Sequence, residues 1–148
     1  ALKSFLDEQN MHLNHIKPHG SLYVMAAKDE TMAHAIADAV ETFDVSIFGM
    51  ANTCHEKIYK DERGLNFIAE FYADLDYDEN GKLVIAKGKN ASYDSKIATD
   101  RVLRALSEKR VTNTIGKDID VGCDTICVHS DTPNAVEIIK GIKLALNK

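Results

Sequence analysis

Three short stretches carry side chains of the kinds that polarise carbonyls and move protons. They are Lys17-Pro18-His19-Gly20, Glu70-Phe71-Tyr72-Ala73-Asp74 and His129-Ser130-Asp131-Thr132. A lysine is a point cation for anionic oxygen, imidazole exchanges protons near neutral pH, and carboxylates orient water or accept protons. Glu70, Tyr72 and Asp74 alternate, so on one strand they share a side. Asn52 follows another apolar run and adds an amide. Each residue also has a plainer role open to it. Lys17 suits a solvated loop, His19 and His129 could fix turns, and Asp131 could cap a helix opening at Thr132-Pro133. Glu70 and Asp74 could simply be exposed carboxylates. Chemistry requires that these groups converge, which depends on the elements that carry them.

Apolar spacing at Leu2, Phe5 and Leu6 predicts a helix ending near Asn10. His12 to Lys17 reads as a strand and Ser21 to Ala27 as a short helix. A longer helix follows, capped by Asp29 or Thr31, with Met32, Ala35, Ile36, Ala39, Val40 and Phe43 on its apolar face. Val45 to Met50 has strand length, and Asn52 or Thr53 caps a helical stretch that Gly64 ends. Asn66 to Tyr72 is the third strand, and Asn80-Gly81 marks a hairpin turn before Leu83-Val84-Ile85. Asp94 to Lys109 is a long helix with Ile97, Val102, Leu103 and Leu106 expected inside. A hairpin about Gly116-Lys117, a strand over Asp124 to His129 and a helix from Thr132-Pro133 complete the chain. That last helix presents Val136, Ile139, Ile142, Lys143 and Leu146 at amphipathic spacing.

Repeated alternation of strand and helix is the signature of parallel β/α architecture, as part of a barrel or an open sheet. In such folds ligands bind beyond the carboxyl ends of the strands. The three chemical stretches and Asn52 all follow predicted strands, so they would gather on one rim.

The totals suit one domain over residues 1–148. Hydrophobic residues make up 45% and charged residues 28%, and the net charge is −5. No basic block favours nucleic acid or an anionic membrane, and no apolar stretch approaches the ~18 residues of a span. The start lacks the pattern of a signal peptide. Three cysteines, Cys54, Cys123 and Cys127, are an odd number without a C-x-x-C pair, which points to a reducing cytoplasm. The Ala1 start suggests a processed or truncated beginning.

Metal readings fare poorly. Asp76 to Gly81 imitates the start of a calcium loop, but Lys87 stands where the bidentate glutamate belongs. His12 and His15 point to opposite faces of a strand, and neither Cys54-His55 nor Cys123 with Cys127 has zinc spacing. No Walker-type phosphate loop is present, so a nucleotide would have its main site elsewhere.

Three segments resemble the LamB/YcsF family. Ile16-Lys17-Pro18-His19-Gly20-Ser21-Leu22-Tyr23 with Met25-Ala26-Ala27 is similar to its VKPHGALYNMAA segment. Glu70 to Asp74, with Tyr77, Gly81 and Leu83-Val84, resembles EVFADRRY and its sequel; Asp124 to Pro133, with Ala135-Val136, resembles ICVHGDTPGAV. Their order and spacing cover essentially the whole chain.

The resemblance implies part of a distorted TIM-like barrel, of the glycoside hydrolase and deacetylase type. It implies a bacterial, cytoplasmic component of a 5-oxoprolinase that opens 5-oxoproline (pyroglutamate) to glutamate. ATP would be a co-substrate, bound with partner subunits similar to allophanate hydrolase. Lys17 and His19 would then stabilise anionic oxygen or phosphate, while Glu70, Asp74, His129 and Asp131 would orient water or shuttle protons. Tyr23, Asn52, Tyr72 and Thr132 would contact the small cyclic amide. No metal ligand set is assigned.

Departures accompany the likeness. The family's amino-terminal segments, DLNCDLGE and NIACGFHAGD, are expected to be absent. Val24 stands for Asn, Leu75 for Arg, Ile85-Ala86 for Pro-Arg, and Asn90 and Ser130 for Gly. Loss of guanidinium groups weakens bidentate recognition of carboxylate or phosphate. Two other readings stay open: a metal-dependent deacetylase or other amide hydrolase of the same fold, and a divergent, non-catalytic subunit that binds a partner.

Overall fold

The computed structural model describes residues 2–85 and 94–147. Ala86, Lys87 and Asn90, singled out above, lie outside the described residues. The chain divides into two compact units, Ala1–Ile68 and Ala69–Lys148.

The first unit contains α1 (Leu2–Glu8), β1 (His15–Ile16), α2 (Gly20–Ala26), α3 (Glu30–Glu41), β2 (Ser46–Gly49) and a π-helix (Glu56–Glu62). β1 and β2 are parallel, with His15 opposite Ser46 and Ile16 opposite Ile47. The strand expected over His12 to Lys17 is therefore only two residues long. Beside β2 the Ile47 N–H donates to Asn66 O at 3.0 Å, where the chain enters β3 (Phe67–Tyr72). Helix α3 starts where Asp29 accepts the Met32 N–H at 3.0 Å, as its cap position predicts.

The face α3 buries differs from the expected one. Ala33, Ala37 and Val40 are inside, joined by Ile47, Ile58 and Tyr59. Ala35 and Ala39 are exposed, and Phe43 is 43% exposed. The small alanines let α3 approach the strand and the π-helix closely. The larger side chains are displaced to a groove shared with Ile16, Pro18 and Leu22.

The π-helix satisfies the expectation of a helix ended by Gly64, but with wider turns. Arg63 N–H donates to Ile58 O, a five-residue step, and Gly64 at φ +64° turns the chain so that Leu65 N–H reaches Tyr59 O. Surface ion pairs from Lys57 to Glu30, and from Arg63 to Asp38 and Glu41, join this segment to α3.

The second unit continues β3 and adds β4 (Asp76–Tyr77), β5 (Leu83–Val84), α4 (Ser95–Glu108), β6 (Arg110–Thr112), β7 (Asp118–Asp120), β8 (Thr125–Cys127) and α5 (Ala135–Leu146). β3 and β8 are parallel, with Glu70 opposite Thr125 and Tyr72 opposite Cys127. Both expected hairpins form, β4 with β5 and β6 with β7. At the first, the Asp78 carboxylate accepts the Asn80 and Lys82 N–H groups.

Asp94 caps α4 by accepting the Lys96 and Ile97 N–H groups. The buried stripe of α4 is Ala98, Val102 and Ala105, whereas Ile97 is 53% and Leu103 39% exposed. Helix α5 buries Ile138 and Ile142 and leaves Val136, Ile139 and Leu146 exposed. The two helices meet closely at Gly141, where an added Cβ would stand 2.6 Å from Ser95 Oγ and 2.8 Å from Thr99 Oγ1. A helix opening at Thr132-Pro133 is not observed. Asn134 is the N-cap and α5 begins at Ala135. The Thr132 hydroxyl is engaged elsewhere, as described below.

Cys123 is buried, Cys54 and Cys127 are half-buried, and none forms a disulfide. Among the described residues no helix is long and apolar enough to cross a membrane.

Candidate active site

In the second unit, strand alternation and register assemble one group of polar side chains. Glu70 and Tyr72 lie on the same side of β3, and Asp74 continues that sequence beyond its carboxyl end. β8 runs parallel beside it and delivers His129 just past its own carboxyl end. This placement follows the rule for parallel sheets.

Asp74 is the centre of the group and only 2% exposed. Its carboxylate accepts the His129 backbone N–H at 2.7 Å and the Thr132 hydroxyl at 2.6 Å. The His129 Nδ1 stands 3.0 Å and 3.2 Å from its two oxygens. Burial works to raise the Asp74 pKa, but these hydrogen bonds outweigh it and hold the carboxyl below its ordinary value. An ionised carboxylate can only accept, so Nδ1 must donate. The neutral ring therefore carries its basic lone pair on Nε2.

Tyr72 completes the support. Its ring stacks on His129 with centroids 5.7 Å apart and planes 17° apart. Its hydroxyl donates to Glu70 Oε2 at 2.8 Å, and its backbone N–H donates to the Tyr77 hydroxyl at 3.0 Å. Tyr77 in turn stacks on Phe71. A carboxylate that fixes an imidazole by Nδ1, with an aromatic face behind the ring, is an arrangement for proton transfer at Nε2. Among the predicted residues, the structure thus brings together Glu70, Tyr72, Asp74, His129 and Thr132. Asp131 is exposed and carries none of the Asp74 hydrogen bonds, nor does it cap α5.

In the first unit, Lys17 Nζ stands 5.9 Å from the centre of the buried Tyr23 ring, within cation–π range. His19 is exposed at the N-cap of α2 and makes no capping side-chain hydrogen bond. Asn52 is exposed, at φ +59°, and its N–H donates to Glu56 Oε2 at 2.9 Å. Three residues on, and absent from the predicted set, lies His55. It is fully buried and accepts the Met50 N–H on Nδ1 at 3.1 Å. Tyr23 meets its ring edge-on and Tyr59 stacks against it. Burial lowers its pKa to about 4, and a backbone hydrogen bond at Tyr23 offsets part of that effect.

Two further supports escape a reading of the sequence. Tyr77 is visible there only as part of a family segment. Arg101, to which pattern alone assigns no role, sits half-buried on α4 beside the buried Ala98 and Val102. Among the described residues, no group of three or more His, Cys, Asp and Glu is placed to hold a metal ion.

Comparison with known proteins places this group in context. The chain is 42% identical over 152 residues to a 5-oxoprolinase subunit of Staphylococcus haemolyticus, matching the whole chain and 60% of that protein. It is 40% identical over 151 residues to the corresponding 5-oxoprolinase subunit of Campylobacter jejuni, again over the whole chain and 59% of the relative. It is 35% identical over 148 residues to a 5-oxoprolinase subunit of Pseudomonas aeruginosa, covering 99% of the chain and 58% of the relative. The chain thus spans about three-fifths of the length of these relatives. The crystal structure of the lactam utilization protein from Thermus thermophilus superposes with a TM-score of 0.86 at 33% identity, over 99% of this chain and 59% of that one. That likeness bears out the expected fold class, α/β with parallel β/α units forming part of a TIM-like barrel. The LamB/YcsF family model matches residues 1–148, and the chain belongs to the LamB/YcsF family.

Proposed function

We propose that the protein serves as the lactam-handling subunit of an ATP-dependent 5-oxoprolinase and opens the lactam of 5-oxoproline to give glutamate. The observation that carries this reading is the buried, ionised Asp74 holding the His129 imidazole by Nδ1. It occurs in a family member whose relatives bear the name of 5-oxoprolinase subunits.

A lactam amide is a poor electrophile, so the reading has ATP transfer its terminal phosphoryl group to the carbonyl oxygen. ADP departs, water adds to the activated carbon, and the ring C–N bond breaks as the nitrogen takes a proton. This leaves the freed carboxyl as its acyl phosphate, and a second water cleaves that phosphate to give glutamate and inorganic phosphate. His129 Nε2 accepts the proton of the attacking water, and Asp74 stabilises the imidazolium that results. Thr132 and the His129 backbone N–H keep the Asp74 oxygens aimed. Tyr72 contacts the cyclic amide in this reading. Glu70 orients Tyr72 through its hydroxyl, and Asp131 contributes at most from the exposed rim. ATP binds with partner subunits similar to allophanate hydrolase.

The test is reconstitution of the protein with such partners, following glutamate release. Release that requires both 5-oxoproline and ATP, and that is lost on His129→Ala, is expected. Full activity of the His129→Ala enzyme refutes the assigned role of His129. No lactam-dependent release from the wild-type assembly refutes the function.

A further inference from the structure

We propose that Arg101 is a positioning residue for the Asp74–His129 pair, reaching from helix α4 to clamp the chain immediately after Asp74. Its Nη2 donates to the Leu75 carbonyl at 2.6 Å, across 26 residues of sequence. Its Nη1 stands 3.6 Å from Asp76 Oδ1, and the Arg101 side chain is only 13% exposed.

The segment it grips has two other fixed points. On one side the Ala73 N–H donates to Cys127 O at 3.1 Å, which ties the end of β3 to β8. On the other, the Tyr77 hydroxyl accepts the Tyr72 N–H. Asp74 lies between these anchors and must keep its oxygens on three donors at once. Displacement of the backbone at Leu75 would rotate the carboxylate off at least one of them. The guanidinium suits this task, because its planar donors are held rigid where a lysine presents one flexible ammonium.

The location argues against simple filling of space. Arg101 stands between Ala98, Val102 and Ala105, the buried stripe of α4. An apolar side chain there would carry no desolvation cost. Burial draws the guanidinium pKa down, against the attraction of Asp76, Tyr77 and Asp74. A charge kept at such a position has a polar task, and the Leu75 carbonyl next to Asp74 supplies it.

Arg101 touches no reacting atom. Its effect passes through Asp74 to the His129 ring. Asp74 from the end of β3 holds that ring, Tyr72 from β3 stacks on it with Glu70 behind its hydroxyl, and Thr132 from the following turn holds Asp74. The inference deepens the hydrolytic reading and rests on it for its kinetic arm, whereas its spectroscopic arm does not.

The experiment compares the wild-type protein with Arg101→Gln and Arg101→Lys. Nitrogen-15 spectra of the histidines, with His129 assigned by its loss in His129→Gln, report the ring tautomer and pKa directly. Both variants are expected to keep the wild-type circular dichroism. In Arg101→Gln the His129 ring should leave the pure Nδ1–H tautomer and its pKa should move by more than ~0.5. Arg101→Lys should move it in the same direction by less. In the reconstituted enzyme kcat should fall about 10-fold or more, with KM within about 3-fold. A folded variant with the wild-type tautomer and pKa overturns the inference, whatever its activity. Failure of both variants to fold also overturns it, because Arg101 would then be a structural group of the unit. Absence of lactam-dependent activity in the wild-type assembly would count against the proposed function instead, and the spectra would still decide the role of Arg101.

Discussion

Acid should destabilise this protein through His55, and the size of the effect can be worked out from its surroundings. The ring is fully buried, bounded by Tyr23 and Tyr59, and receives the Met50 N–H on Nδ1. Protonation would destroy that acceptor and place a charge among aromatic rings, so the folded ring stays neutral down to about pH 4. Above about pH 6.5 neither the folded nor the unfolded chain binds this proton. As pH falls through 6.5, the unfolded chain takes up a proton that the folded ring refuses, and stability is lost. The loss is complete once the folded ring titrates near 4. At about 1.4 kcal/mol per pH unit, this interval removes about 3 kcal/mol. That is a large share of the roughly 5–15 kcal/mol of a typical domain. Urea unfolding at pH 8, 7, 6, 5 and 4.5 measures it, with His55→Gln as the control that retains an acceptor for Met50 N–H. Carboxylates contribute equally to both proteins. The wild type should therefore lose stability more steeply than the variant between pH 6.5 and 4.5. Parallel curves for the two proteins would show that His55 does not stay neutral in the fold.

Other outcomes follow from the same geometry. Asp74→Asn can present an amide N–H to Nδ1 and so favour the wrong tautomer; kcat should fall by about 10²–10⁴-fold with little change in circular dichroism, and an unchanged kcat would remove Asp74 from the reaction. Thr132→Val deletes one donor to a buried carboxylate while preserving shape; denaturant unfolding should register a loss of about 1–3 kcal/mol. Gly141→Ala reverses a common expectation. Alanine usually stabilises a helix interior by about 1 kcal/mol over glycine, yet here the added methyl meets Ser95 and Thr99 oxygens, so thermal unfolding should occur at lower temperature.

Local chemistry made much of the fold legible. Asp29 and Asp94 cap their helices because a short acceptor precedes an apolar run, and Asn80-Gly81 makes its hairpin because the turn needs one residue at positive φ, which Gly81 supplies. The buried faces of the helices were harder. Hydropathy weights Ile97, Leu103 and Phe43, but close approach selects Ala98, Ala105, Ala33 and Ala37. Side-chain size, unseen by a hydrophobicity pattern, decided which stripe turned inward. At the site, the strand-end rule located Asp74 and His129, 55 residues apart, as partners on one unit. It could not foresee that Thr132 would spend its hydroxyl on Asp74 instead of opening α5. Nor could it detect Arg101, whose charge is visible in sequence but whose burial depends on packing.

The π-helix carries a lesson about which changes this chain tolerates. Lys60, Asp61 and Glu62 are exposed, so most exchanges of residue type there would be harmless to the interior. Their number is another matter. The widened turn holds one residue more than an ordinary helical path, and removal of a single one would tighten it. The rest of the segment would then rotate by about 100° relative to its start, breaking the turn by which the Leu65 N–H reaches the Tyr59 carbonyl. Among descendants of this sequence, the segment should drift freely in composition while keeping a constant length.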